Sequence, residues 1–385
     1  MDKPFIYADC AATVPVTDRA LAAAEPYFRE RFGNASSIHT QGMGAARALL
    51  DARKRVAAQL EAEVSEIYFT SGGTEADNWA LRGGAALGAV DGRRHIVTTN
   101  AEHPAVLRCC EALAREGYEV TYLPVNSEGF VTPEQVADAL RSDTALVSVM
   151  YANNEIGTLS PVHEIAQVCR SRGVLFHTDA VQAAGHEPID LGSLGADMLS
   201  LSGHKLGAMK GVGALYIRKG IELPPLICGG GQERGRRSGT ENIPAVISLA
   251  EALAESLEGL EDKNARLLEQ RERLTDGLLS IPGSRLNGSL ERRLAGNVNV
   301  SFEGIESESL LIMLDMRGIC ASGGSACSSY TNAPSHVLTA IGTPESFIKG
   351  SLRLSFGILS DVEVEYIIAE VAAAVEKLRR ERFGA

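Results

Sequence analysis

Val162-His163-Glu164-Ile165-Ala166-Gln167-Val168-Cys169-Arg170-Ser171-Arg172-Gly173-Val174-Leu175-Phe176-His177-Thr178-Asp179 reads as a helix over 162–172, a glycine break, and a short apolar strand that ends on a carboxylate. The unit recurs in both directions. Upstream, β runs at 66–71, 95–99, 118–123 and 145–151 alternate with helical patterns at 75–87 and 104–116, after a first helix over 45–60 whose stripe includes Leu49, Leu50, Val56 and Leu60. Downstream, Met198 to Leu201 leads into Ser202-Gly203-His204-Lys205, and 213–217 is a further β run. Alternating helices and near-continuously apolar strands predict an α/β fold whose mainly parallel sheet is covered on both faces. Ligands of such sheets sit outside the carboxyl ends of the strands. Thr74, His103, Asn154, Asp179 and His204-Lys205 all fall at those ends.

The chain has 385 residues, long enough to expect two domains. A helical stretch from about 244 to 281, charged at Glu261-Asp262-Lys263, reads as the bridge between them. A large domain over 14–256 and a smaller α/β domain over 257–385, with 1–13 packing on the smaller one, are expected. Hydrophobic residues at 45% and charged residues at 22% indicate an ordinary globular chain. The net charge of −12 argues against a broad nucleic-acid-binding face, and direct nucleic-acid binding is not expected. No apolar run reaches membrane-spanning length, and the first residues lack a secretory pattern. Seven scattered cysteines without a CxxC pair argue against a disulfide framework or a zinc ribbon and fit a reducing cytoplasm.

Several residues carry chemistry. Lys205, at a strand end between glycines, reads either as a solvated surface lysine or as a desolvated, nucleophilic amine. Asp179 either meets a cation, such as a protonated pyridine nitrogen, or caps the helix-like segment that holds Gln182. Gly72-Gly73-Thr74, between strand and helix, suits an anion, though it is neither a dinucleotide fingerprint nor a P-loop. His103, just before a helix, either caps it or stacks on a ring and moves protons. Arg353 interrupts an apolar strand, as a carboxylate clasp or an edge-strand ion pair. Gly229 to Asn242 combines glycines with Arg234, Arg236 and Arg237, as an anion-binding or a solvated loop. Cys327 lies among glycines and serines, unlike a cysteine of a packed core.

Nine segments occur in one order: Tyr7-Ala8-Asp9-Cys10-Ala11-Ala12-Thr13, Asn34-Ala35-Ser36-Ser37-Ile38-His39, Thr70-Ser71-Gly72-Gly73-Thr74-Glu75, Ala101-Glu102-His103, Asn153-Asn154-Glu155-Ile156-Gly157, Asp179-Ala180-Val181-Gln182, Ser202-Gly203-His204-Lys205, Arg237-Ser238-Gly239-Thr240-Glu241-Asn242 and Ser322-Gly323-Gly324-Ser325-Ala326-Cys327. Together they resemble the cysteine desulfurases, pyridoxal-phosphate enzymes of the class V aminotransferase group, over nearly the whole chain.

The resemblance implies fold type I, with a mainly parallel seven-stranded sheet, a homodimer and pyridoxal 5'-phosphate as cofactor. It implies that Lys205 carries the cofactor aldehyde, Asp179 pairs with the ring nitrogen, Gln182 bonds the ring hydroxyl and His103 stacks on the ring. Gly73, Thr74, Ser202 and His204 would hold the phosphate, and Thr240 that of the partner subunit. Asn154 would contact cofactor or substrate, Arg353 would bind the carboxylate of L-cysteine, and Asn34 would lie near it. Cys327 would take the substrate sulfur as a persulfide, leaving alanine, and pass it to a sulfur-acceptor or iron–sulfur scaffold protein. No resident metal is expected; Cys327 is a candidate ligand for a transferred cluster. The length of 328–336 resembles the long-loop class.

Three departures stand out. Cys10 occupies a position usually held by asparagine, no proline follows Lys205, and the longer C-terminal tail of the housekeeping form is not found. A selenocysteine lyase, another pyridoxal-phosphate lyase or aminotransferase with an incidental Cys327, and a non-catalytic scaffold on the same fold are the alternative readings.

Overall fold

The computed structural model describes residues 4–324 and 334–383, so Cys327 lies outside the described residues. Seven strands form the main sheet in the spatial order Ile67–Thr70, Gly213–Ile217, Met198–Ser202, Leu175–Asp179, Thr144–Ser148, His95–Thr99, Glu119–Leu123. Gly213–Ile217 runs antiparallel to both its neighbours, and the other four pairings are parallel. Crossover helices return the chain, so both sheet faces are covered. Leu146 and Met198 enter one apolar cluster with Trp79 and Leu81, while their chain neighbours Val147 and Leu199 enter the other with Val56 and Leu249. This is the period of two that strand geometry imposes. Helix Gly73–Val90 lies close on the sheet because Gly88 leaves room: a Cβ there would stand 2.3 Å from that of Ala145.

A second core gathers Leu267, Leu274, Val298, Val300, Leu310, Leu352, Leu354 and Val371 around an antiparallel sheet of Ser351–Ser355, Asn297–Phe302 and Ser284–Leu286. The N-terminal segment joins it. Ile6–Tyr7 pairs in parallel with Ile319–Cys320, and Ile6 and Ala8 are buried in this core.

The helical stretch expected from 244 to 281 is two helices, Ile243–Leu257 and Leu260–Leu279. Glu258 is extended and Gly259 takes φ +61°, a left-handed conformation open to glycine at little cost. The apolar period is similar on both sides of the break, which is why periodicity did not reveal it.

Candidate active site

Lys205 ends a single tight turn, Gly203–Lys205, directly after the Met198–Ser202 strand. Gly203 donates its N–H to the Val212 carbonyl at 2.9 Å and accepts those of Leu206 and Ala208, which closes the turn. The Lys205 Nζ donates to the carbonyls of Ala11 and Ala12, the latter at 2.7 Å. Gln182 Nε2 donates to the same Ala11 carbonyl at 2.9 Å. Main-chain oxygens of the N-terminal segment thus meet two side chains from the ends of the main sheet. In the segment after Lys205, which lacks proline, the Met209 N–H donates to Ser248 Oγ at 3.0 Å, a bond proline cannot make.

Asp179 closes the neighbouring strand and is 4% exposed. Its Oδ1 accepts the Val181 N–H at 2.9 Å in a tight turn, and no helix follows directly. Burial raises its pKa, while His103, the Val181 N–H and Lys205 pull it back. One ligand atom each from Asp179, Asp77 and His103 lie within 4.8 Å of one another. Asp77 is 1% exposed and its Oδ1 has no hydrogen-bond partner among the described residues. Burial first, and the Asp179 charge second, hold Asp77 well above the usual carboxylate range. The imidazole 3.6 Å away, His177, offers no charge, because full burial pushes its pKa down to about 3. It bonds Ser148 Oγ and Ser200 Oγ instead.

His103 takes the capping role that was one of its two readings. Its Nδ1 accepts the Ala105 N–H at 3.1 Å, capping helix Pro104–Arg115, and the same ring faces Asp179. Burial lowers its pKa, and Nδ1, as acceptor, leaves the ring proton to Nε2.

The 18-residue helix Gly73–Val90 starts without a side-chain cap, behind Gly72. Its first N–H groups and dipole favour an anion. Gly73 is buried, and a Cβ there would stand 2.6 Å from Val181 Cγ2. A Cβ on Gly72 would stand 3.9 Å from Ser202 Oγ, so that hydroxyl lies beside the helix start. Thr74 is exposed in the first turn. His204 bonds Thr13 Oγ1 at 3.2 Å, and burial lowers its pKa to about 4.

Arg353 is 1% exposed; Nη1 donates to the carbonyls of Asn154 at 2.8 Å and Gly324 at 3.0 Å, and Nη2 to Asp9 at 2.6 Å. The ion-pair reading of Arg353 therefore holds, with its Nε unpartnered among the described residues. Asn154 is half-buried beside it. Asn34 is exposed, its side chain bonding the Ser36 N–H. Thr240 is also exposed and lines a hollow of about 230 Å³ with Ser71, Gly211 and Arg237. Asp9, Asp77 and the Ala11 and Ala12 carbonyls were not singled out from sequence. With Glu75 and Asn78 beside it, Asp77 carried no local signal of burial.

The profile of the family described as aminotransferase class-V matches residues 6–366. The chain belongs to this family. Within the class-V family, the cysteine desulfurase IscS of Methanosarcina thermophila is 51% identical over 375 residues, 97% of this chain and 93% of that protein. The cysteine desulfurase IscS of Clostridium botulinum is 47% identical over 380 residues, 98% and 95% respectively. A solved NifS-like protein superposes with a TM-score of 0.91 at 37% identity, covering 97% of this chain and all of that one. A structure described as SspA in complex with cysteine matches with a TM-score of 0.82 at 35% identity, over 92% and 99%.

Class-V cysteine desulfurases depend on pyridoxal phosphate, and the residues present fit that group. A protonated ring nitrogen would answer the buried Asp179, the uncapped helix start would answer the phosphate, and the Lys205 amine reaches the same space. Among the described residues, no helix is long and apolar enough to cross a membrane.

Proposed function

We propose that this class-V chain removes sulfur from L-cysteine, holds it as a persulfide on Cys327, and passes it to a sulfur-acceptor or iron–sulfur scaffold protein. The convergence of Lys205, Asp179 and His103 at neighbouring strand ends carries the reading, together with the cysteine desulfurase names of relatives at 47–51% identity. When bound, pyridoxal phosphate supplies an electron sink and a carbonyl that takes the substrate amine. Asp179 keeps its negative charge against the ring nitrogen. Gly73, Thr74, Ser202 and His204 would hold the phosphate, Gln182 the ring hydroxyl, and His103 would lie against the ring. Asn34, Asn154 and Arg353 orient the substrate. Lys205 Nζ takes the α-proton. The Cys327 thiolate attacks the substrate sulfur, the carbon–sulfur pair stays on the β-carbon, that carbon takes a proton, and Lys205 returns one to the α-carbon so that alanine leaves.

A homodimer in the cytoplasm, with Thr240 serving the partner's phosphate and 14–256 acting as the cofactor domain, completes the proposal. Exposed Phe32 (68%) and Ile38 (94%) support a covered face there, and the six cysteines among the described residues are all free. The test is mass spectrometry after cysteine addition. One extra sulfur on the Cys327 peptide is expected, and undiminished sulfide release by Cys327→Ala would overturn the assignment.

A further inference from the structure

One buried carboxylate meets the described residues on either side of Cys327, bonded to Ser335 and packed beside Gly324. Glu155 is 2% exposed and lies in the turn after the central strands. Its Oε2 accepts the Ser335 Oγ hydroxyl at 2.5 Å. Gly324 lies against the same oxygen: a Cβ there would stand 3.0 Å from Glu155 Oε2, and φ at Gly324 is +106°. The main chain of Glu155 is itself fixed. Its N–H donates to Asn153 Oδ1 at 2.9 Å and its carbonyl accepts Asn299 Nδ2 at 3.0 Å. Arg353 completes the grip by donating to the Gly324 carbonyl.

Beyond Ser335 the chain is held as firmly. Ser335 caps helix His336–Ala340 by accepting the Leu338 N–H, and His336 Nε2 donates to the Glu102 carbonyl at 2.9 Å. On the other side, Gly323 accepts the Ser351 hydroxyl and Ser322 pairs with Arg353 through both main-chain groups. Gly324 and Ser335 are eleven positions apart, and Cys327 follows Gly324 by three. Glu155 is therefore placed where both ends of that stretch enter the site that holds Asn154 and Arg353.

We propose that Glu155 is a positioning residue for sulfur transfer: by bonding Ser335 and packing beside Gly324, which Arg353 holds, it sets where the Cys327-bearing stretch leaves and rejoins the site. This role rests on the Cys327 reading above. It acts on delivery of the thiol and leaves cofactor binding and substrate activation alone. L-Cysteine sulfinate separates these. Its carbon–sulfur pair also stays on the β-carbon, but the departing sulfur dioxide leaves without a thiolate and takes up water as sulfite.

Glu155→Ala and Ser335→Ala holoenzymes, each with its cofactor absorbance matched to the parent, are compared on both substrates. Persulfide formation on Cys327 should fall at least tenfold in Glu155→Ala, with sulfite release from cysteine sulfinate within twofold. Glu155→Gln, which keeps an oxygen acceptor for Ser335, should recover most of the loss, and Ser335→Ala should lie between. An equal fall on both substrates, or full persulfide formation in Glu155→Ala, overturns the proposal. Failure of the Cys327 reading shows separately, as undiminished sulfide release by Cys327→Ala in the parent chain.

Discussion

Arg353 Nη2 lies 2.6 Å from Asp9 Oδ1 across 344 positions of sequence. The pair ties the N-terminal segment to the Ser351–Ser355 strand, and the other guanidinium nitrogen holds the Asn154 turn. Replacing Arg353 with leucine leaves Asp9 and two carbonyls without their donor. A loss of about 1.5–3 kcal/mol is expected for a hydrogen bond to a charged group. Urea unfolding measures it, and Arg353→Leu within about 0.5 kcal/mol of the parent, the spread of a neutral surface change, would remove the argument.

Asp179 is buried, and its charge is supported by His103, the Val181 N–H and Lys205. Asp179→Asn keeps the shape and loses the charge. Sulfide release should fall on the order of 10²–10³-fold, the scale of removing one preorganised electrostatic partner. The cofactor should also dissociate more readily, read from the decay of its visible absorbance on dilution. A variant with parental turnover would show that no cation sits against this carboxyl.

Gly73 has no room for a methyl group beside Val181. Gly73→Ala should destabilise the protein by about 1–3 kcal/mol through overpacking. Val181→Ala in the same chain opens that space and should recover part of the loss. Strict additivity of the two changes in a denaturation double-mutant cycle would contradict direct contact.

His177 stays neutral in the folded chain down to about pH 3, whereas the unfolded side chain takes a proton near 6.5. Between those values the unfolded state binds the extra proton, so stability falls as pH falls. One such group contributes a slope of about 1.4 kcal/mol per pH unit in that window. The raised acid Asp77 acts with the opposite sign, favouring the folded state as pH falls. In His177→Asn the slope between pH 6.5 and 4 should be shallower by up to that amount, measured by urea unfolding at several pH values. An unchanged slope would mean that the folded imidazole is already protonated.

Local pattern made much of the site legible. The apolar run before Ser202-Gly203-His204-Lys205 and the one ending at Asp179 are short, continuous and followed by turn residues, so their ends could be placed within a residue or two. The next helix was read from Glu75 and starts two residues earlier, at Gly73. Asp77 was passed over because a carboxylate on a helix is ordinarily solvated, and only packing against the sheet shows this one to be enclosed. The two-residue strand Ile6–Tyr7 carries too little pattern to be read without its partner Ile319–Cys320. Gly259 looked like an ordinary helix glycine until its left-handed φ separated two helices.

By itself, the amino-acid order determined the alternation of strand and helix and the residue types at the strand ends, because period and turn chemistry act over a few neighbours. Only the tertiary structure decided that the Ala11 carbonyl meets Lys205 and Gln182, that Asp77 sits beside Asp179, and that Glu155 touches both Gly324 and Ser335. Those meetings join positions scores to hundreds of residues apart, and such distances close only when the sheets and cores are packed.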